Sequence, residues 1–296
     1  MFTLSSRCFS SRGSIAELCT TASDLGFRSI MISNHDVAPR PGNVSEAILK
    51  LGVKIDAAFA GCLEGRTGVR RASEELASLD EGRRTRAVRS IQDHAAFAKA
   101  LQCQVIVISG GAAEGVGVDE RVRHIEGLAD RGAPTGELIE EVKLLVSRNR
   151  EKHLESLCRS LHAATRGNPD MKFAILPASR PGELLDSSAV DDVFSDVKST
   201  NLFVWFDAGA SRAGELTGCE PTVTILEKCA RRIIGIQLHD SRGMRQHFIP
   251  GEGTVDWKLI KEHTPRFALR VVDLDVGAGA HAVHESVRVL TALGFD

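Results

Sequence analysis

Short apolar runs alternate along this chain with stretches whose apolar residues recur at helical spacing. Eight runs have the length and β-branched or aromatic content of strands: Phe2–Ser5, Ser29–Ser33, Lys54–Ala58, Val105–Ser109, Lys172–Leu176, Leu202–Phe206, Ile233–Leu238 and Leu269–Leu274. Most lack clean in/out alternation, as expected of strands covered on both faces of a parallel sheet. Between them lie one-sided stripes with a 3.6-residue period. Ile15, Leu18, Cys19, Ala22 and Leu25 form one, closed by Gly26. Val88, Ile91, Ala95 and Ala98 form a second, Leu154, Leu157, Cys158 and Leu161 a third, and Val283, Val287 and Leu290 the last. Strand and helix alternating around eight strands predict a closed (β/α)8 TIM barrel, with an open doubly wound sheet as the alternative. No glycine-rich phosphate fingerprint follows the first strand, which weighs against the open sheet.

The barrel reading takes residues 1–296 as one domain. Gly110–Glu141 is long for a strand-to-helix connection and carries two glycine-rich pieces around a charged segment. On the catalytic face such an insertion is either a lid or a loop without a role. The Ser/Arg-rich opening MFTLSSRCFSSRGS is read as a first strand and its loop rather than a transit leader.

Composition narrows the function. A formal charge of −2 gives no global basic field for nucleic acid. No apolar run approaches the roughly 20 residues that span a bilayer. Seven scattered cysteines without a CxxC pair are expected to be reduced thiols of a cytoplasmic protein. The chain has no tyrosine, so no Tyr acid or base exists. A small-molecule substrate is the expected partner, with no nucleic acid and no membrane; a homo-oligomer is compatible with the sequence.

Candidate chemistry clusters where strands end, the place at which barrels build sites. The densest segment is IIGIQLHDSRGMRQHFIPGEGTVDW, in which an apolar run opens into Gln237, His239, Asp240, Arg242, Arg245 and His247. His239 and Asp240 are adjacent, so along a strand their side chains take opposite faces. Asp207 ends the sixth run, where a carboxylate needs a partner: a metal or proton-transfer role, or a helix cap or a pairing with Arg212. Asp273 and Asp275 would face one side if the last strand continues, and could share a proton. Arg7, Asn34, His35 and Ser109 follow earlier strands at the same mouth as candidate substrate contacts. Arg242 is a candidate clamp for a carboxylate, phosphate or sugar oxygen, and His247 a further substrate contact.

The element order, the AxxLGF helix end at Ala22–Phe27, the passage AxAKALQCQVIVISGG and above all PGEGTVDW resemble the sugar phosphate isomerase/epimerase superfamily, the xylose isomerase-like TIM barrels. The resemblance implies a divalent cation (Mn²⁺, Mg²⁺ or Co²⁺) at the strand mouths. Its ligands would be a Glu ending strand 5, an Asp ending strand 6, a His in strand 7 and a Glu in strand 8. Carried over residue by residue, Leu176 stands at the first Glu and Asp207 matches the Asp. Gln237 stands at the His, unless a one-residue slip brings in His239. Asp273 stands at the last Glu. Ala210 and Ser109 replace histidines of the pattern, and Asp240 matches. The implied metal set is therefore Asp207, Gln237 and Asp273, and the cofactor is a divalent cation or none. The implied catalytic set is Asp207, Asp273, His239 and Asp240, acting by proton abstraction next to a carbonyl of a small polyhydroxylated or keto-acid substrate. Isomerisation, epimerisation and dehydration share that step. The alternatives are a metal-free enzyme or a non-catalytic binding barrel, and more remotely a nuclease.

Overall fold

A computed structural model describes residues 1–9, 14–34, 48, 50–64, 71–115 and 117–295. Eight parallel strands close into a barrel. They are β1 (Thr3–Ser5), β2 (Ser29–Ile32), β3 (Lys54–Phe59), β4 (Val105–Ser109), β5 (Lys172–Leu176), β6 (Leu202–Asp207), β7 (Ile233–Leu238) and, after a hairpin, β10 (Leu269–Val272). The hairpin is β8 (Asp240–Arg242) against antiparallel β9 (Arg245–Phe248). The TIM barrel expected from the apolar runs is therefore the fold, and the strand limits match expectation to within two residues. The hairpin was not foreseen.

Helices α1 (Ile15–Asp24), α2 (Glu81–Ala100), α3 (Val118–Ala129), α4 (Gly136–Ser147), α5 (Arg150–Gly167), α6 (Ser187–Val197), α7 (Ala208–Glu215), α8 (Thr222–Cys229), α9 (Trp257–His263) and α10 (Gly279–Ala292) accompany the strands. The predicted stripes are the buried faces: Ile15, Leu18, Cys19 and Ala22 in α1, and Ile91, Ala95 and Ala98 in α2. A Ser14–Glu17 capping box starts α1 by satisfying two otherwise unpaired N–H groups. The region Gly110–Glu141 is no irregular loop. It contains α3 and the start of α4, and α3 buries Val118, Val122 and Ile125.

Two layers of core result. One lies between strands and helices. A separate cluster of Met31, Ala57, Val105, Val107, Ala174, Trp205 and Val271 fills the barrel interior. Trp205 is its largest member and is fully buried. A Cβ on Gly235 would overlap the Trp205 ring, so β7 has glycine where the indole passes. Strand alternation then decides what stands above this layer. Asp207 follows Trp205 by two residues, Gln237 and His239 follow Gly235, and Asp273 follows Val271. Register sets Asp207 level with Gln237, and, two residues further along, Asp273 beside His239, since Gln237 pairs with Val271.

Candidate active site

Asp207 and His239 meet at the end of β6 and β7. His239 Nε2 lies 2.8 Å from Asp207 Oδ1, and the imidazole is fully buried. The approach is off the N–H axis, so Nε2 has no aligned hydrogen-bond partner among the described residues. Asp207 Oδ1 also accepts the Ala210 N–H at 2.9 Å, capping α7. The carboxylate therefore caps a helix and touches a histidine at once. It makes no ion pair with Arg212, which binds Glu215.

The other ring nitrogen of His239 is engaged by the backbone. The His247 N–H points at Nδ1 from 3.1 Å, and an amide N–H can only donate. The neutral ring must then carry its proton on Nε2, toward Asp207. Burial works against a charged imidazole, but Asp207 and then Asp273 outweigh it and raise the His239 pKa. Burial likewise opposes charge on Asp207, yet His239, the Ala210 N–H and His247 hold its carboxyl below the usual range.

Asp273 is fully buried beside three partners. Gln237 donates from Nε2 to Oδ2 at 2.6 Å. His247 Nδ1 is 3.3 Å from the same oxygen, and Arg7 Nε is 3.7 Å from Oδ1. Burial opposes the charge here too, but His247, Arg7 and His239 overcome it, and the carboxyl lies far below its ordinary value. The Gln237 amide cannot be turned round. Its Oε1 accepts the Trp205 indole N–H at 3.1 Å, and indole is a donor only. His247 adopts φ +66°, a left-handed conformation uncommon outside glycine, and its ring lies 4.2 Å from that of His239.

A match to one family model covers most of this barrel. The chain belongs to the xylose isomerase-like TIM barrels. The family match runs over residues 19–263. Comparison with curated proteins gives no significant match. Among solved structures, the apo 3-keto-D-glucoside 4-epimerase YcjR of E. coli superposes with a TM-score of 0.66 at 12% identity, covering 98% of each chain. An L-ribulose 3-epimerase gives 0.65 at 16%, covering 99% of this chain and 93% of its own. The IolI protein with a bound zinc atom gives 0.68 at 12%, covering 99% and 97%. At these identities the likeness concerns the fold.

His239, His247 and Asp273 each bring a possible metal-ligand atom within 4.8 Å of the others. Several contacts of the cluster and its neighbours compete with a cation. Gln237 turns its NH₂ group, not its oxygen, toward Asp273. The Nδ1 lone pair of His239 is taken by the His247 N–H, and its Nε2 carries hydrogen in the neutral ring. Arg7 already sets positive charge beside Asp273. Two positions that would supply lone pairs supply N–H groups instead, and metal ligation needs the lone pair. In the expected set of Asp207, Gln237 and Asp273, Gln237 presents its NH₂ group to Asp273 and its oxygen to Trp205.

Other expected site residues find different surroundings. Asp240 faces away from the barrel axis and is fully buried. It accepts hydrogen bonds from the N–H groups of Ser241 (2.9 Å), Gly251 (2.8 Å) and Val255 (3.0 Å) and from Trp257 Nε1 (3.0 Å). Four donors exhaust its directions, so the geometry makes it the organiser of the PGEGTVDW loop. Arg242 is exposed on the hairpin, bound to Glu252 and over the Phe248 ring. Asp275 is exposed beyond the end of β10 and shares no proton with Asp273. Asn34 keeps a buried Oδ1 that lacks a partner among the described residues. His35 lies outside the described residues.

A cavity beside Asp207 is lined by Ser109, Leu176, Ala210, Ser211 and Glu183. Glu183 was not anticipated. Its Oε2 accepts the N–H groups of Ser179 (2.7 Å) and Arg180 (3.1 Å). Burial raises its pKa, and those two N–H groups and the Arg180 charge only partly oppose the rise. Its position was the available signal, since a carboxylate on the loop after β5 lies at the catalytic mouth.

Proposed function

We propose that this protein is an isomerase- or epimerase-like enzyme. It would act on a small polyhydroxylated or keto-acid substrate by proton transfer at the carbon next to a carbonyl. The observation that carries this reading is a contrast between two carboxyl groups on one cavity. Glu183 is pushed up by burial, and Asp207 is held down by its partners despite burial. Environments that drive two acids apart create one proton donor and one charged acceptor. In this reading the Glu183 carboxylate takes the proton from the substrate carbon, its raised proton affinity favouring the transfer, and the resulting acid returns it to carbon. Asp207 keeps His239 oriented and able to carry positive charge as an oxyanion develops.

The hydroxyl character of the substrate is supported by unmatched buried atoms. Arg7 Nε and Asp273 Oδ1 are 3.7 Å apart, and neither has a hydrogen-bond partner among the described residues. One is a donor and the other an acceptor. A hydroxyl group that reached between them would accept from the first and donate to the second, removing the cost of leaving both unsatisfied. Ser109 adds a hydroxyl on the cavity wall. The Gly110–Glu141 segment contributes Gly110 and Gly111 to that wall, consistent with a covering role for α3 beyond it.

The test is solvent exchange. The protein is incubated in D₂O with ketoses, 3-keto sugars and hydroxy keto acids, and deuterium entry at carbon is followed by NMR. Exchange that disappears in both Glu183→Gln and Asp207→Asn supports the proposal. Ligand-induced thermal stabilisation without exchange for any compound would leave a binding barrel instead.

A further inference from the structure

Arg7 is carried on the 3-10 turn Ser6–Cys8 that follows β1. This turn is fixed to the segment bearing Asp273. The Leu274 N–H donates to Cys8 Sγ at 3.3 Å, and Cys8 is buried. The residue after Arg7 is thus tied to the residue after Asp273. Register places Leu4 opposite Val272, so the two segments leave the barrel at neighbouring strand ends. Arg7 is therefore a built-in neighbour of Asp273, about a third exposed, while the carboxylate is fully buried.

Arg7 already sets one fixed positive charge 3.7 Å from the Asp273 carboxylate. A divalent cation on Asp273 would add two positive charges a few ångströms from a guanidinium, in a region where burial weakens screening. It would also meet the NH₂ of Gln237 and the protonated nitrogen of His239.

We propose that the Arg7 guanidinium is the resident cation of this site, holding the place of a divalent metal. Its remaining hydrogens would steady negative charge on a substrate oxygen. The proposal rests on reading the strand mouth as the active site. Its test reads metal binding, not turnover, so the two can fail separately.

The experiment titrates Mn²⁺ by calorimetry into the chelator-treated protein, into Arg7→Gln, and into Arg7→Gln combined with Gln237→His. Circular dichroism confirms that each variant folds. The unmodified chain should show no stoichiometric binding. The double variant should gain one site, with affinity improved by about 10- to 100-fold or more over the parent, the scale on which neighbours tune metal sites. That gain should vanish when Asp273→Asn is added. One Mn²⁺ per unmodified chain, lost in Asp273→Asn, would overturn the proposal. So would a folded double variant that binds no better than the parent. The titration of the unmodified chain decides the first point even where a variant fails to fold.

Discussion

The Trp205 indole donates to Gln237 Oε1 at 3.1 Å, and that bond decides which end of the amide faces Asp273. The indole belongs to the barrel-interior core, so a packing residue sets the polarity of the site above it. Gln237→Leu should remove the donor from Asp273 and leave the buried indole N–H unmatched. The expected loss is about 1–3 kcal/mol, the cost of a buried unsatisfied polar group. Urea denaturation reads it, and an unchanged midpoint would mean that the chain of contacts is energetically idle.

Asp240 and Arg242 should part company under substitution. Asp240→Ala leaves three backbone N–H groups, two of them buried, and the Trp257 indole without their acceptor. A loss of about 3 kcal/mol or more is expected, since breaking a buried charged network is among the most damaging changes. Arg242→Ala, on the exposed hairpin, should stay within about 0.5 kcal/mol of the parent. Trp257 emission during unfolding reports the first change directly. Equal effects of the two substitutions would contradict the assignment of Asp240 to the loop.

The barrel was legible because its strands are covered on both faces. Runs such as Val105–Ser109 and Ile233–Leu238 are mostly apolar without in/out alternation and coincide with β4 and β7. The site was legible only in part, because sequence spacing gives the face of a residue and not its partner. Parity separates His239 from Asp240, yet the contacts that make one a site residue and the other a scaffold come from Asp207, Gly251 and Val255. Asp273 and Asp275 were grouped by the same parity, and the pairing failed because β10 stops at Val272. The insertion looked like a loop because of its glycines. The Val118, Val122 and Ile125 stripe of α3 was present in it all the same. The Gln237 amide orientation depends on an indole from another strand, and no local pattern carries that information.

Gly209 lies against the histidine that the site depends on. A Cβ there would overlap the His239 ring and approach its carbonyl oxygen to 2.9 Å. Gly209→Ala should therefore push the imidazole off Asp207. Overpacking of this kind costs about 1–3 kcal/mol. The diagnostic readout is the His239 titration followed by NMR, because separation from Asp207 removes a leading cause of its raised pKa. The pKa should fall in the variant. A stability loss with an unmoved titration would mean that the backbone gave way and the ring did not.

Asp273 should govern stability in acid. Its carboxyl in the folded chain lies well below the ordinary 3.8. A depressed folded pKa means that the unfolded chain binds the proton first as pH falls. The stabilisation from the charged form is therefore complete above 3.8 and is lost as pH falls through the folded value. Asp273→Asn lacks this ionisation altogether. The parent should exceed the variant in stability above pH 3.8, and that margin should shrink steadily as pH falls below it. Thermal unfolding of both proteins across this range checks the sign. A margin that widens toward acid would place the Asp273 pKa above its unfolded value and would break the account of Arg7, His247 and Gln237 as partners that favour the carboxylate.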